Sequence, residues 1–182
     1  MRHGRQLHSY GIAGLNVALG ASESAFANLE LSALVMLFAT RLVVPVFAPI
    51  GEEPGWRGFA LPRLQAEHSP LVSTVMLGVV VALWHLPLIF LSEENFSPIF
   101  LVATVAVTFF YTWLFNHTDG SVFMTIVAHA AEGLIAASFV GKDGFSGAGE
   151  TRFAVLYTVG WCVVAVTLVV FDRTMWCNRT RV

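Results

Sequence analysis

Residues 71–91, LVSTVMLGVVVALWHLPLIFL, form a long apolar stretch whose one ionisable side chain is His85. A helix needs about 20 residues to cross a hydrocarbon layer of ~30 Å, and this stretch has the required length. The surface helix of a soluble protein would instead carry a polar face at a period of 3.6 residues. The stretch therefore predicts a transmembrane helix, and His85 is the residue within it that needs an explanation.

The composition of the whole chain agrees with a membrane protein. Of its 182 residues, 56% are hydrophobic and only 12% are charged, whereas a soluble domain carries about 25% charged residues. The formal net charge is −2 and no run of Lys or Arg occurs, so a nucleic-acid partner is excluded. We therefore expect a multi-pass integral membrane protein in contact with the lipid bilayer.

Apolar runs of spanning length predict an all-α, polytopic transmembrane helical bundle. About five spans are expected, together with an N-terminal interfacial helix, and the connectors between them are short and polar. The predicted spans are 31–50, 71–91, 98–115, 121–140 and 153–171. The predicted divisions are an N-terminal polar or interfacial segment (1–30), a transmembrane catalytic bundle (31–172) and a polar C-terminal tail (173–182).

The segment 51–65, GEEPGWRGFALPRLQ, is charged at both ends but retains an apolar centre. We interpret it as a helix in which Glu53 and Arg57 form an i,i+4 pair with the acid N-terminal, the favourable order. If the first span ended at residue 50, Glu52 would lie at a membrane face. The span could instead run over 41–65, with Arg41 and Arg63 reaching opposite faces. Measured from the face that bears Arg63, Glu52 would then lie ~18 Å deep, near the depths of ~21 Å for His85 and ~12 Å for His129.

Ionisable groups at membrane depth cost at least a few kcal/mol each. The sequence places six there: Glu52, Glu53, Arg57, His85, His129 and Glu132. Any one of them alone also has a structural explanation, since a lone histidine often bonds a neighbouring helix and a Glu–Arg pair often joins two turns. Two carboxylates, one guanidinium and two imidazoles on three spans together favour a catalytic or metal constellation.

Two mechanisms remain open on the residues alone. In the first, Glu52 and His85 activate a water molecule and His129 donates to the oxyanion of a hydrolysed peptide bond. In the second, Glu52, His85 and His129 bind Zn²⁺, with a water in the fourth position. The HExxH spacing of zinc proteases and the GxSxG turn of serine hydrolases are both absent. A third, non-enzymatic alternative makes His85 and His129 axial haem ligands.

Three short segments together resemble one known family. Residues 52–57, EEPGWR, have the form EExxxR; residues 82–87, ALWHLP, are similar to a second motif; and residues 129–131, HAA, open a third. Residues 113–122, WLFNHTDGSV, are similar to the segment that precedes the third motif. In order and spacing these segments resemble the CAAX protease and bacteriocin-processing (CPBP, Abi) family of intramembrane endopeptidases.

The resemblance implies a protease of the bacterial cell membrane that cuts a membrane-associated, prenylated or leader peptide. Glu52 and His85 would activate water, His129 would help bind the oxyanion, and Glu53 and Arg57 would support them. Zn²⁺ is the one cofactor considered, and Glu52, His85 and His129 would bind it only if the reaction is metal-dependent.

Two positions depart from the pattern of the family. Val81 stands where FxxxH has Phe, a change expected to affect packing around His85 more than chemistry. Gly133 stands where HxxxN has Asn, which removes an amide donor worth ~3 kcal/mol of transition-state stabilisation if nothing replaces it. Glu132 cannot replace that donor while ionised, because a carboxylate only accepts hydrogen bonds. A catalytically weak or inactive relative that acts as a membrane binding or immunity scaffold is therefore the alternative.

Overall fold

The computed structural model describes residues 7–21, 31–44, 49–91, 97–139, 145 and 147–177. Almost all of them are helical, and these residues include no β-strand. The predicted all-α class is therefore confirmed.

Ten α-helical segments and one π-helical turn follow one another over these residues. They are α1 (Leu7–Ala18), α2 (Leu31–Val43), α3 (Pro49–Gly55), the π turn (Trp56–Ala60), α4 (Leu61–Glu67), α5 (Pro70–His85), α6 (Leu88–Leu91), α7 (Ile99–His117), α8 (Val122–Phe139), α9 (Ala148–Phe171) and α10 (Arg173–Cys177).

Three stretches are long and apolar enough to cross a membrane, namely Pro70–Phe90, Ile99–His117 and Ala148–Phe171. They correspond to three of the five predicted spans and make the chain an integral membrane protein. The other two predicted spans overlap shorter apolar segments, Leu31–Val43 and Val122–Leu134, and the helix that contains the second of them continues to Phe139.

The first predicted span does not form as either sequence alternative expected. Helix α2 ends at Val43 and α3 begins at Pro49, so neither 31–50 nor 41–65 is one continuous helix. The guanidinium of Arg41 lies against Gly133 of α8. The physical reason is that α2 packs alongside α8, which turns the side chain into the bundle.

Helix α7 is central in the bundle. It packs against α5, α8 and α9, while α2 and α3 pack against α8 and α1 packs against α9. α5 and α7 approach each other closely at Gly78, where an added Cβ would lie 3.4 Å from the backbone oxygen of Val105. A small residue at a helix crossing is typical of packing inside membranes.

The outward faces of the spanning helices are apolar. Large hydrophobic side chains with more than half of their surface exposed include Leu83, Trp84, Val102, Val163 and Val166. Hydroxyl groups inside the same helices donate to carbonyls four residues earlier, as Thr74 does to Pro70 at 2.6 Å and Thr158 to Ala154 at 2.8 Å. Lipid contact explains both features, because it favours apolar surface and requires every polar group to be bonded within the protein.

The described part of the predicted N-terminal segment belongs to the bundle. Ile12 and Ala13 of α1 are buried, and the amide of Asn16 donates to the Gly149 carbonyl at 2.9 Å. The rest of that segment, residues 1–6 and 22–30, lies outside the described residues.

The beginning of the predicted C-terminal tail also packs onto the helices. Trp176 of α10 is fully buried and donates from Nε1 to the Leu168 carbonyl at 2.9 Å. Asp172 accepts from Trp113 Nε1 at 3.0 Å. Residues 178–182 lie outside the described part of the chain.

Candidate active site

A buried carboxylate joins two of the sequence motifs. Oε1 of Glu53 accepts from Arg57 Nη1 at 2.8 Å and lies 2.8 Å from His129 Nδ1. Glu53 is fully buried and Arg57 is 2% exposed, so the pair is shielded from solvent and its interactions are strong. The i,i+4 pair predicted from the sequence is present, and it brings the first and third motifs into contact.

The helix that carries this pair changes its winding at Arg57. Pro54 lies inside α3, and the next turn is π-helical, with the N–H of Leu61 donating to the carbonyl of Trp56. Proline lacks an N–H and disturbs the regular i→i−4 pattern, and single π turns of this kind are common at functional sites. The two glutamates therefore lie in the helical turn just before the irregular one, and Arg57 lies within the irregular turn.

Tyr111 of α7 connects the pair to a third carboxylate. Its ring lies 4.8 Å from Arg57 Cζ, in cation–π geometry, and 5.3 Å from the ring of His129. Its hydroxyl donates to Oε2 of Glu132 at 3.2 Å. Tyr111 is 2% exposed, so its hydrogen bond to Glu132 is buried between the helices.

Glu132 is held by two tyrosines from different helices. Tyr111 donates to one carboxylate oxygen and Tyr157 of α9 donates to the other. His129, Arg41 and His85 are its electrostatic neighbours. We call Glu53, Arg57, Tyr111, His129, Glu132 and Tyr157 the polar cluster; it links α3, α7, α8 and α9.

His85 lies in the last turn of α5 and is oriented by its own helix. Its Nδ1 is 2.8 Å from the carbonyl of Val81, and since a carbonyl only accepts, Nδ1 carries a proton. The neutral imidazole then has its lone pair on Nε2. Val81 itself is 5% exposed and packs with Leu77 and Phe115, so this departure from the family pattern lies in the apolar core.

Glu52 is half-buried and is not part of the polar cluster. Its Oε2 atom is buried and has no hydrogen-bond partner among the described residues. The carboxylate that contacts His129 is thus Glu53 rather than its neighbour, because successive helical residues point about 100° apart. Glu52 keeps a buried acceptor free for another ligand, such as water.

The residues proposed for zinc do not form a ready three-ligand group. Over the described ranges, no set of three His, Cys, Asp or Glu side chains is close enough to hold a metal ion. His129 uses Nδ1 for Glu53 and His85 uses Nδ1 for Val81, which leaves one nitrogen of each ring. The arrangement of these side chains therefore does not fit a preformed Glu/His/His zinc site.

A separate groove of about 630 Å³ lies between α5, α7 and α9, and its lining is apolar apart from Cys162. It contains none of the polar cluster. Its lining includes Val79, Leu83 and Val102, which also face outward. The groove is therefore distinct from the candidate site.

Sequence reasoning missed three contributors to the site, which are Arg41, Tyr111 and Tyr157. The two tyrosines lie within apolar runs, where an aromatic residue is usually a packing residue. Their signal was the hydroxyl, which needs a partner at membrane depth and indicates a polar neighbour on another helix. Arg41 had been assigned to a membrane face, and only the packing of α2 on α8 places it beside Gly133.

Together, the fold and the cluster define a polytopic helical membrane protein with two glutamates, an arginine and a histidine clustered between its helices. The family of type II CAAX prenyl endopeptidases described as Rce1-like matches residues 33–135. The match covers more than half of the chain and includes the three motifs, and the protein belongs to this family. The resemblance drawn from the motifs is thereby confirmed.

A similar protein is the CAAX prenyl protease 2 of Methanococcus maripaludis, which is 28% identical over 102 residues. The aligned region makes up 50% of this chain and 38% of that protein, so the chain spans well under half of the relative it matches. That relative is archaeal, and the comparison does not support the bacterial membrane expected from the sequence.

Proposed function

We propose that this protein is an intramembrane endopeptidase that hydrolyses a peptide bond of a membrane-associated substrate, such as a prenylated CAAX peptide. Membership in the family supports the reaction class. The observation that carries the proposal is the contact of His129 with the buried Glu53–Arg57 pair. This contact fixes the imidazole by its Nδ1 atom and leaves Nε2 for the substrate.

In the proposed reaction, Glu52 and His85 activate the attacking water. The buried, unpartnered Oε2 of Glu52 accepts the hydrogen bond of the water, and Nε2 of neutral His85 provides a second acceptor. The water oxygen bonds to the carbonyl carbon while its proton passes to Glu52 and the C=O electron pair moves onto oxygen. Collapse then breaks the C–N bond, and the proton passes from Glu52 to the leaving amine.

His129 faces the oxyanion in this scheme, and Glu53 and Arg57 act as positioning residues. Since Nδ1 of His129 is committed to Glu53, the opposite nitrogen is the one that contacts substrate. With a proton on that nitrogen as well, the His129 imidazole would donate a hydrogen bond to the oxyanion.

A cleavage assay in proteoliposomes tests the proposal, with an internally quenched farnesylated CAAX peptide as the probe. We expect Glu52→Gln, His85→Ala and His129→Ala each to lower kcat by about 10²–10⁴-fold, the usual contribution of an acid or base. His117→Ala is the matched control, because His117 is exposed at the end of α7 and pairs with Asp172 at 3.0 Å. Wild-type rates in all three site variants would refute the assignment.

A chelator arm separates the two activation mechanisms. We expect 1,10-phenanthroline to leave cleavage unchanged if Glu52 and His85 activate water directly. Loss of cleavage that added Zn²⁺ restores would instead favour a metal-bound water. A phenotype that the Glu52→Gln strain retains, when neither the wild type nor the variant cleaves the peptide, would favour the scaffold alternative.

A further inference from the structure

The guanidinium of Arg41 fills the space beside Gly133. Arg41 lies in the last turn of α2, which packs against α8. A Cβ atom at Gly133 would lie 2.5 Å from Cζ and 3.1 Å from Nε of Arg41, closer than atoms can approach without movement. Position 133 therefore lacks a side chain of its own and is covered by the cationic end of another.

One donor of Arg41 is unused among the described residues. Its Nε atom is buried and has no hydrogen-bond partner over the described ranges. Glu132 acts on Arg41 through space, but the two form no ion pair among the described contacts. A guanidinium only donates and stays charged, and a buried donor without an acceptor is costly. The arrangement is suited to an acceptor that arrives with a ligand.

Arg41 approaches the same face of α8 as His129. Residues 129 and 133 are four apart, so they lie one above the other on a helix, about 6 Å apart along its axis. His129 is anchored at Nδ1 by Glu53, and the guanidinium covers the next turn. An oxygen atom between the two side chains would have a nitrogen donor on each side.

We propose that Arg41 is an oxyanion donor of the peptidase reaction, acting with His129 in the position left open by Gly133. This inference rests on the proposed function. As the water oxygen bonds to the carbonyl carbon and the C=O electron pair moves to oxygen, an N–H of Arg41 donates to that oxygen. Arg41 transfers no proton, and the hydrogen bond weakens again when the oxyanion collapses and the C–N bond breaks.

A structural role for Arg41 as the counter-charge of Glu132 makes different predictions. Loss of a counter-charge would lower stability, and its kinetic effect would follow the fraction of folded protein. Loss of an oxyanion donor lowers kcat and leaves KM nearly unchanged, because the interaction is made in the transition state only. The ratio of the two kinetic effects therefore separates the roles.

The first experiment compares Arg41→Ala with wild type on the farnesylated CAAX peptide in proteoliposomes. We expect kcat to fall about 100-fold, as for loss of one oxyanion donor elsewhere, with KM changed less than threefold. Arg63→Ala is the matched control, since Arg63 is exposed and bonds the Phe59 carbonyl at 3.1 Å. A kcat of Arg41→Ala within threefold of wild type overturns the inference.

Substitutions at Gly133 test the same point without removing the arginine. Gly133→Ala places a Cβ where the guanidinium lies, so we expect it to lower kcat in the wild type but to add nothing to Arg41→Ala. Gly133→Asn introduces an amide donor, and in the Arg41→Ala background we expect it to raise kcat at least tenfold. Additive effects, or no recovery in the double variant, contradict the assignment.

Binding of a phosphinic analogue of the same peptide provides a readout that is independent of turnover. The tetrahedral anion of the analogue imitates the oxyanion. We expect Arg41→Ala to weaken binding of the analogue about 100-fold more than it weakens binding of the parent peptide. If the wild type cleaves the peptide and Arg41→Ala binds the analogue as tightly as the wild type does, the role of Arg41 is overturned and the proposed function stands. A wild-type protein that neither cleaves the peptide nor binds the analogue overturns the proposed function, and this inference with it.

Discussion

Replacement of Glu53 by Gln removes the negative charge from the most enclosed ion pair of the described structure. Glu53 is fully buried, and its Oε1 contacts both Arg57 Nη1 and His129 Nδ1 at 2.8 Å. Arg57 is also buried, and its Nε and Nη2 atoms have no other hydrogen-bond partner among the described residues. The substitution therefore leaves a buried guanidinium without its counter-charge.

Loss of one partner of a buried pair costs about 3–5 kcal/mol of unfolding free energy. We expect Glu53→Gln to fall at the low end, about 3 kcal/mol, because the glutamine oxygen still accepts a neutral hydrogen bond and Arg57 keeps its contact with the Tyr111 ring. The matched control is Glu67→Gln, in which an exposed carboxylate at the end of α4 is changed in the same way. We expect the control to lie within about 0.5 kcal/mol of wild type.

The measurement is reversible unfolding of the detergent-solubilised chain by titration with SDS, followed by tryptophan fluorescence. Glu53→Leu/Arg57→Met should recover most of the lost stability, because an apolar pair avoids the unpaired charge. The same double variant should stay inactive, since His129 has lost the acceptor that orients it. An unfolding free energy of Glu53→Gln within 0.5 kcal/mol of wild type would refute the account of the pair.

Further predictions concern the supports of the bundle. Tyr111→Phe should lower the unfolding free energy by about 1–2 kcal/mol, because Glu132 loses one donor while the ring remains in place; an unchanged SDS midpoint would contradict this. Trp176→Ala should lower it by about 3–5 kcal/mol, because this side chain is fully buried. Trp84→Ala, at a residue 63% exposed, should change the unfolding free energy by less than about 1 kcal/mol. An equally small effect of Trp176→Ala would show that α10 does not stabilise the bundle.

The length of the apolar runs was sufficient to predict the helical class, since a run such as 71–91 is long enough for a spanning helix. The i,i+4 spacing of Glu53 and Arg57 predicted their contact, because this spacing brings two side chains together on any helix. His129 was predicted as a site residue because it accompanies other ionisable groups in apolar segments and opens the third motif. These inferences depend on local geometry, which the sequence specifies directly.

The partner of each side chain depends on distant helices, and the sequence did not specify it. The predicted site grouped Glu52 with His129, whereas Glu53 makes the contact. Both glutamates share one turn, and the choice between them depends on how α3 is rotated against α8. Arg41 likewise does not lie on one straight helix over 41–65, because α2 ends at Val43 and α3 begins at Pro49.

What the sequence by itself determined is the all-helical class, the presence of apolar segments long enough to span a membrane, and the ionisable groups that lie in or beside the apolar segments. The free energy of transferring a side chain from water to lipid depends on residue type and run length, and both can be read along the chain. Only the tertiary structure decided that Tyr111 and Tyr157 hold Glu132 and that Arg41 covers Gly133. Those contacts result from the packing of α2, α7 and α9 around α8, because a side chain meets its partner only when the rotation and crossing of whole helices are fixed.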